Sequence, residues 1–205
     1  MNPSRNQRDV KPCHCVLAFG IPISREEFLD ALAMPSSRKS YANSFDGGWN
    51  SYRSSRFLVT FNRLKPEFKR LKVNLLPNLT LDKFGELLRN DRYSVITIFS
   101  HWDDDQLEFG GGFAEIPEII ARVPVDYDGV IDLSVCHPIP LVEGLISRPH
   151  RKYQVRSNFE KASPRIWLHF YHLLYANLLL QDLTFAEAFE KTVEEFREQF
   201  ERNTA

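Results

Sequence analysis

Two side chains capable of nucleophilic catalysis follow two apolar runs in the middle of the chain. Residues 95–99 lead through Ser100 to His101, and residues 130–135 lead to Cys136. A thiol attacks a carbonyl well only as thiolate, and a free cysteine, with a pKa of about 8.5, is only slightly ionised near neutral pH. A nearby imidazole can accept the thiol proton or stabilise the thiolate as a cation, and can later protonate the leaving amine. The pair therefore predicts thiol chemistry if the fold brings the two side chains together.

The elements around the pair predict how they would meet. Residues 93–99 and 130–135 are typical of β-strands, and residues 113–122 between them are typical of a helix with Pro117 in its first turn. Strand, loop, helix and strand form a βαβ unit with a right-handed crossover. Neighbouring parallel strands end at the same sheet edge, where open α/β sheets bind their ligands. We therefore expect His101 and Cys136 at that edge.

The pattern resembles a known family. An apolar block ending in Ser-His, a spacer, and a second apolar block ending in Cys is the arrangement found in caspase-fold cysteine peptidases. These include caspases, metacaspases, legumain, separase and bacterial CHAT-domain proteases. The resemblance implies that His101 is the general acid/base and that Cys136 is the nucleophile, with backbone N–H groups of Trp102 and Cys136 binding the oxyanion. The bulky helix, short loop and Phe-Ala-Glu-Ala-Phe run near the C-terminus also resemble the end of CHAT domains.

The chain departs from the family pattern at two positions. Trp102 follows the histidine where the family usually has glycine, and Val135 precedes the cysteine where alanine or serine is commoner. Trp102 favours an alternative hypothesis, a caspase-like binding or signalling module without turnover. A thiol hydrolase of a non-peptide acyl substrate would use the same pair of residues and is a third hypothesis.

Asp132 lies within the second apolar run. Alternation along residues 130–136 places Asp132 on the same strand face as Cys136. A carboxylate in an apolar strand needs a partner, because burial of an unpaired charge is costly. Asp132 is expected either to support the site from below or to pair with a buried donor.

Two charged groups are candidates for substrate binding. The acidic group follows His101 and would suit a basic substrate residue: Asp103, Asp104 and Asp105. The basic group follows the cysteine strand, in a region that lines the substrate cleft in caspase-fold proteases, and would suit an acidic one: Arg148, Arg151 and Arg156. The sequence does not choose between them.

Composition sets the broad class of the protein. The chain has 205 residues, 43% of them hydrophobic, and a formal net charge of −1, which gives no support to nucleic-acid binding. No apolar run approaches the roughly 20 residues of a membrane span, and the N-terminus lacks a signal-peptide core. The three cysteines match no disulfide scaffold, which favours a cytoplasmic location. The run Cys13-His14-Cys15 lacks a second ligand pair, so no metal site or cofactor is predicted.

The remaining segments alternate between strand and helix patterns. Strands are predicted at 13–20, 56–61, 72–76 and 153–158, and helices at 25–33, 81–89, 141–146, 165–180 and from 185 onward. This alternation predicts an α/β fold, a caspase-like three-layer αβα sandwich with a mostly parallel central sheet. Residues 1–12 are expected to be a loose arm before one domain spanning 13–205, with a polar insertion at about 35–55.

These observations together predict a cysteine endopeptidase that hydrolyses a peptide bond in a protein substrate. A regulatory protein partner is expected, because an unrestrained peptidase would damage its host. Resemblance to bacterial caspase-like proteins implies a role in defence or regulated cell death. Neither a membrane nor nucleic acid is expected as a partner.

Overall fold

The computed structural model describes residues 14–46, 48–103, 105–157 and 163–202. Its helices are α1 (Arg25–Ala33), α2 (Pro35–Phe45), α3 (Trp49–Arg53), α4 (Arg56–Arg70), α5 (Leu81–Leu88), α6 (Ile116–Arg122), α7 (Ile139–Ile146), α8 (Pro164–Leu180) and α9 (Phe185–Arg202). Its strands are β1 (Cys15–Phe19), β2 (Asn74–Leu76), β3 (Val95–Phe99), β4 (Trp102–Asp103), β5 (Gln106–Phe109), β6 (Gly112–Glu115), β7 (Val130–Ser134) and β8 (Gln154–Ser157). The predicted N-terminal arm lies outside the described residues.

Five parallel strands form the central sheet in the order β2-β1-β3-β7-β8. Strand β2 lies on one side of β1, and β3, β7 and β8 follow one another on the other side. The order therefore reverses between β1 and β3, and this crevice at the carboxyl ends is where sheets of this kind bind ligands. The second sheet is small and antiparallel, with the order β4-β5-β6.

Helices cover both faces of the central sheet, because its strands carry apolar side chains on both sides. Phe19 and Phe99 belong to the core on one face, together with residues of α4, α8 and α9. Ile98 and Leu133 belong to the core on the other face, with residues of α5, α6 and α7. The predicted α/β sandwich with a mostly parallel central sheet is confirmed.

Residues 56–61 form a helix, so the strand predicted there is wrong. They open α4, which continues through Pro66 to Arg70. Phe57, Phe61, Leu64 and Phe68 recur at helical spacing and are all buried. Burial of this stripe against α8 outweighs the β-propensity of the short run that contains Val59 and Thr60.

Two other segments differ from their predictions. The polar insertion expected at about 35–55 contains α2 and α3, whose Tyr41 and Tyr52 are buried. The segment after His101, expected to be a glycine-bearing acidic loop, forms the small antiparallel sheet, and the predicted helix at 113–122 begins only at Ile116. Among the described residues, no helix combines the length and apolarity needed to cross a membrane.

Candidate functional site

The predicted pair lies at adjoining strand ends. Strands β3 and β7 are hydrogen-bonded parallel neighbours, with Phe99 opposite Ser134. His101 and Cys136 each follow two residues after these positions, so both lie at the carboxyl edge of the central sheet. The backbone N–H of Ser100 approaches the carbonyl of Ser134 at 3.5 Å, which extends the pairing of the two chains toward the pair. The predicted parallel pairing of the two strands, with a helix between them in the chain, is confirmed.

The last side chains of the two strands face the same helical layer. The Phe99 ring lies 6.5 Å from the ring of Tyr171 in α8, and Ser134 lies close enough to Tyr171 to affect the pKa of its hydroxyl. Side chains two residues apart share a strand face. His101 and Cys136 follow these paired strand ends and so lie at the same corner of the sheet.

The chain turns sharply directly after Cys136. His137 has a left-handed backbone with φ of 54°, a conformation in which histidine is enriched among non-glycine residues. Helix α7 begins two residues later at Ile139. This turn leaves the Cys136 side chain exposed at the sheet edge, where a substrate can reach it.

His101 is an exposed residue that lies beside α2. Its side chain has exposed surface, and its ring centroid lies 6.1 Å from that of the buried Tyr41 in α2. Although one part of the ring is accessible, the surrounding protein removes water from it, and this desolvation lowers the pKa of His101 below 6.5. The negative charge of Asp103 acts in the opposite direction. The net direction favours a neutral imidazole, the form that accepts a proton.

A buried carboxyl group that the sequence analysis missed is hydrogen-bonded to Tyr41, the neighbour of His101. Glu108 in β5 is 1% exposed, and it accepts a 2.9 Å hydrogen bond from the Tyr41 hydroxyl and another from Ser37. Burial raises its pKa to about 7, although the two hydrogen bonds lower it. The available sequence signal was one carboxylate between Leu107 and Phe109, both of which are buried.

The backbone N–H of Trp102, predicted to bind the oxyanion, has its direction set by the pairing of β4 with β5. Trp102 lies opposite Leu107 in the antiparallel pair of β4 and β5, and the N–H of Glu108 donates to the carbonyl of His101. Hydrogen-bonded pairs alternate with non-hydrogen-bonded pairs along an antiparallel ladder. The position of Trp102 is the non-hydrogen-bonded kind, so its N–H points away from β5. The indole is partly buried against the core that contains Leu107.

Asp132 is fully buried and has donors. Its carboxylate receives 3.1 Å hydrogen bonds from Thr97 and from Arg156, and Tyr171 also interacts with it. Burial raises the pKa of Asp132, while Arg156, Tyr171 and Thr97 oppose that shift. Of the two predicted alternatives, the pairing of Asp132 with a buried donor is confirmed, and its support of the site stays a prediction.

The three candidate arginines are engaged within the protein. Arg156 pairs with Asp132, and its guanidinium lies 3.4 Å from the ring centroid of Phe189. Arg148 donates to the carbonyl of Val123 at the end of α6, and Arg151 donates to carbonyls of residues 146 and 153. The contacts of Arg148 and Arg151 lie at the amino-terminal edge of the parallel sheet. The structure therefore does not bring Arg148 and Arg151 to the edge that carries His101 and Cys136.

The acidic candidates lie on the side of the predicted pair. Asp103 and Asp105 are exposed, in β4 and in the turn that follows it, and Asp105 has a left-handed φ of 58°. Asp104 lies outside the described residues. Asp103 is close enough for its charge to act on His101.

Cys15 is 1% exposed in the core, and burial raises its pKa to about 12. Cys13 lies outside the described residues. Over the part of the chain that the structure describes, no group of three or more histidine, cysteine or carboxylate side chains is arranged to hold a metal ion.

Comparison of the sequence with known protein families and with curated proteins found no match.

Proposed function

We propose that this protein is a cysteine peptidase in which Cys136 attacks the scissile carbonyl and His101 transfers the protons. The observation that supports this most strongly is the in-register pairing of β3 and β7, whose last pair, Phe99 and Ser134, lies two residues before His101 and Cys136. Position at the carboxyl edge, beside the crevice between β1 and β3, agrees with where ligands bind to such sheets.

The proposed reaction has two halves. His101 takes the proton from the thiol of Cys136 as sulfur attacks the carbonyl carbon, and it gives the proton to the amine as the peptide bond breaks. Water then attacks the resulting thioester, with His101 as the base, and the acid product leaves. The lowered pKa of His101 supports a neutral base over a preformed imidazolium-thiolate pair. The N–H groups of Trp102 and Cys136 are the proposed donors to the oxyanion.

The same geometry favours a basic residue at the cleavage position. Asp103 is exposed beside His101, whereas Arg148 and Arg151 contact carbonyls at the opposite edge of the sheet. A carboxylate near the catalytic pair complements lysine or arginine in a substrate. We propose Asp103 and Asp105 as the groups that contact that side chain.

Control by a protein partner is part of the proposal, since an unrestrained peptidase would damage its host. We propose bacterial defence or regulated cell death as the setting, by resemblance to caspase-like proteins.

A binding module without turnover is the second candidate function. It is favoured by Trp102, whose partly buried indole occupies the position after His101 where the resembled peptidases have glycine. In that case Cys136 would be exposed without being a nucleophile.

A peptide-cleavage assay tests the proposal. Fluorogenic peptides with lysine, arginine, aspartate or glutamate at the cleavage position are incubated with wild type, Cys136→Ala, His101→Ala and the control His14→Ala. His14 is an exposed histidine beside the amino-terminal end of β1. We expect cleavage of the basic peptides by wild type and by His14→Ala, and none by the other two.

His137 requires its own control, since it adjoins Cys136. His137→Asn removes the imidazole and retains a residue that tolerates left-handed backbone. We expect His137→Asn to cleave and His101→Ala to be inactive. If no peptide is cleaved, the rate of iodoacetamide alkylation decides. Alkylation of Cys136 no faster than that of a small-molecule thiol, and unaffected by His101→Ala, would reject the catalytic proposal and favour the binding module.

A further inference from the structure

The segment containing Glu108 holds His101 on two sides. The backbone N–H of Glu108 donates to the carbonyl of His101 at 3.0 Å, and the Glu108 carbonyl accepts a hydrogen bond from the Ser100 hydroxyl. Its carboxyl group accepts from Tyr41, whose ring adjoins the imidazole. Main-chain and side-chain contacts of one residue thus converge on His101.

Tyr41 is well fixed for this purpose. Its ring packs edge-to-face against Phe28 at 5.9 Å and Tyr52 at 5.7 Å, and its hydroxyl is anchored on Glu108. Burial and the nearby Glu108 raise the pKa of Tyr41, so the hydroxyl keeps its proton and remains a donor. The ring therefore forms a fixed wall on one side of the His101 imidazole.

We propose that Glu108 is a positioning residue for His101, and that it acts through its hydrogen bond to Tyr41. The carboxyl group sets the position of the Tyr41 ring, and the ring restricts the orientation of the His101 imidazole. This inference deepens the proposed function and rests on it for the role of His101. The orientation of the ring itself is measurable whether or not the protein turns over a substrate.

Four variants separate positioning from general structural support. Glu108→Gln keeps an acceptor for the Tyr41 hydroxyl, whereas Glu108→Leu removes it. Tyr41→Phe removes the hydroxyl and keeps the ring. Tyr52→Phe is the matched control, because it also removes one buried tyrosine hydroxyl, which donates to the carbonyl of Pro22 at 2.6 Å.

The first readout is the NMR spectrum of the His101 imidazole, assigned by comparison with His101→Ala. Wild type should show ring protons displaced by the Tyr41 ring current and a pKa below 6.5. In Tyr41→Phe and Glu108→Leu we expect the displacement to shrink and the pKa to move toward 6.5, because the freed imidazole gains water. Glu108→Gln and Tyr52→Phe should match wild type. If Tyr41→Phe leaves the His101 signals unchanged, the positioning role is wrong.

The second readout is catalytic and uses the same variants. Tyr41→Phe should lower kcat about 10- to 100-fold with little change in KM, since misplacement of a catalytic group affects the reaction more than binding. Glu108→Gln should keep most of the wild-type kcat, because it keeps an acceptor for the Tyr41 hydroxyl. An equal loss in Tyr52→Phe would show a merely structural effect.

The two readouts distinguish two kinds of failure. Changed imidazole signals in a protein that cleaves no peptide, and whose Cys136 is alkylated no faster than a small-molecule thiol, would reject the peptidase and keep the positioning role. Unchanged signals in an active peptidase would reject the positioning role alone. If Tyr41→Phe does not fold, the comparison of Glu108→Leu with Glu108→Gln provides the same test.

Discussion

The buried carboxyl group of Glu108 predicts that this protein loses stability as the pH rises. The perturbation is Glu108→Gln, which replaces the carboxyl with a neutral amide of nearly equal size that can still accept from Tyr41. The titratable side chains near Glu108 come from three neighbouring helices: Tyr41 of α2, Tyr52 of α3, and Glu27 and Asp30 of α1. The substitution leaves these four side chains in place.

The magnitude follows from the two pKa values. Burial raises the pKa of Glu108 from 4.5 to about 7, so between these values the folded protein binds a proton that the unfolded chain does not. The stability that this proton contributes is fully present below pH 4.5 and is lost as the pH rises through 7. At 1.36 kcal/mol per pKa unit, the full loss is about 3 kcal/mol, and between pH 5 and pH 8 it is about 2.5 kcal/mol.

Urea unfolding of both proteins at pH 5, 6, 7 and 8 measures this effect. The free energy of unfolding of wild type should fall by about 2.5 kcal/mol relative to Glu108→Gln across that interval, with most of the change between pH 5 and 7. Glu86→Gln is the control, because it removes a carboxyl group that is exposed on α5. A difference between wild type and Glu108→Gln that stays constant with pH would refute the reasoning.

Three further predictions concern the residues around the site. Arg156→Met should lower the free energy of unfolding by about 3 kcal/mol or more, because it removes the cation from the fully buried Asp132. Urea unfolding measures this, and a loss below about 0.5 kcal/mol would contradict it. Gly20→Ala should lower the free energy of unfolding by about 1–3 kcal/mol in the same assay, since the added carbon would collide with the carbonyl of Glu108. Desolvation lowers the pKa of His101, so the acid limb of the peptide-cleavage rate should have its midpoint below pH 6.5, and a midpoint above it would contradict this assignment.

The sequence predicted the sheet well where local pattern and burial agree. Strands buried on both faces appear as short apolar runs, and residues 95–99 and 130–134 were placed within one or two positions for this reason. The helix over Arg25–Ala33 was predicted with its correct bounds, because Ser24 and Glu27 form a recognisable N-terminal cap. From these elements the position of His101 and Cys136 after the ends of neighbouring strands could be inferred.

The missed features depend on contacts distant in sequence. Residues 56–61 have β-type composition, and only packing against α8 makes them helical. Helix α2 is polar and Ser-rich, so nothing local marks Tyr41 as the neighbour of His101. Likewise, the pairing of Arg156 with Asp132 spans 24 positions between neighbouring strands, and the sequence could not distinguish an arginine engaged inside the protein from one that faces a substrate.

Glu108 is more costly than packing alone requires. Leu107 and Phe109 on either side are buried, and a leucine at position 108 would avoid the desolvation of a carboxyl group. The pKa of about 7 means that near neutral pH this group costs the fold stability that an apolar residue would not. A carboxyl group placed at such a cost, and bonded to the tyrosine that adjoins His101, favours a role in the geometry of the imidazole over a role in the core. The same cost makes the hypothesis testable, because Glu108→Gln should gain stability at alkaline pH while keeping the Tyr41 contact, whereas Glu108→Leu should lose that contact and, with it, the orientation of His101.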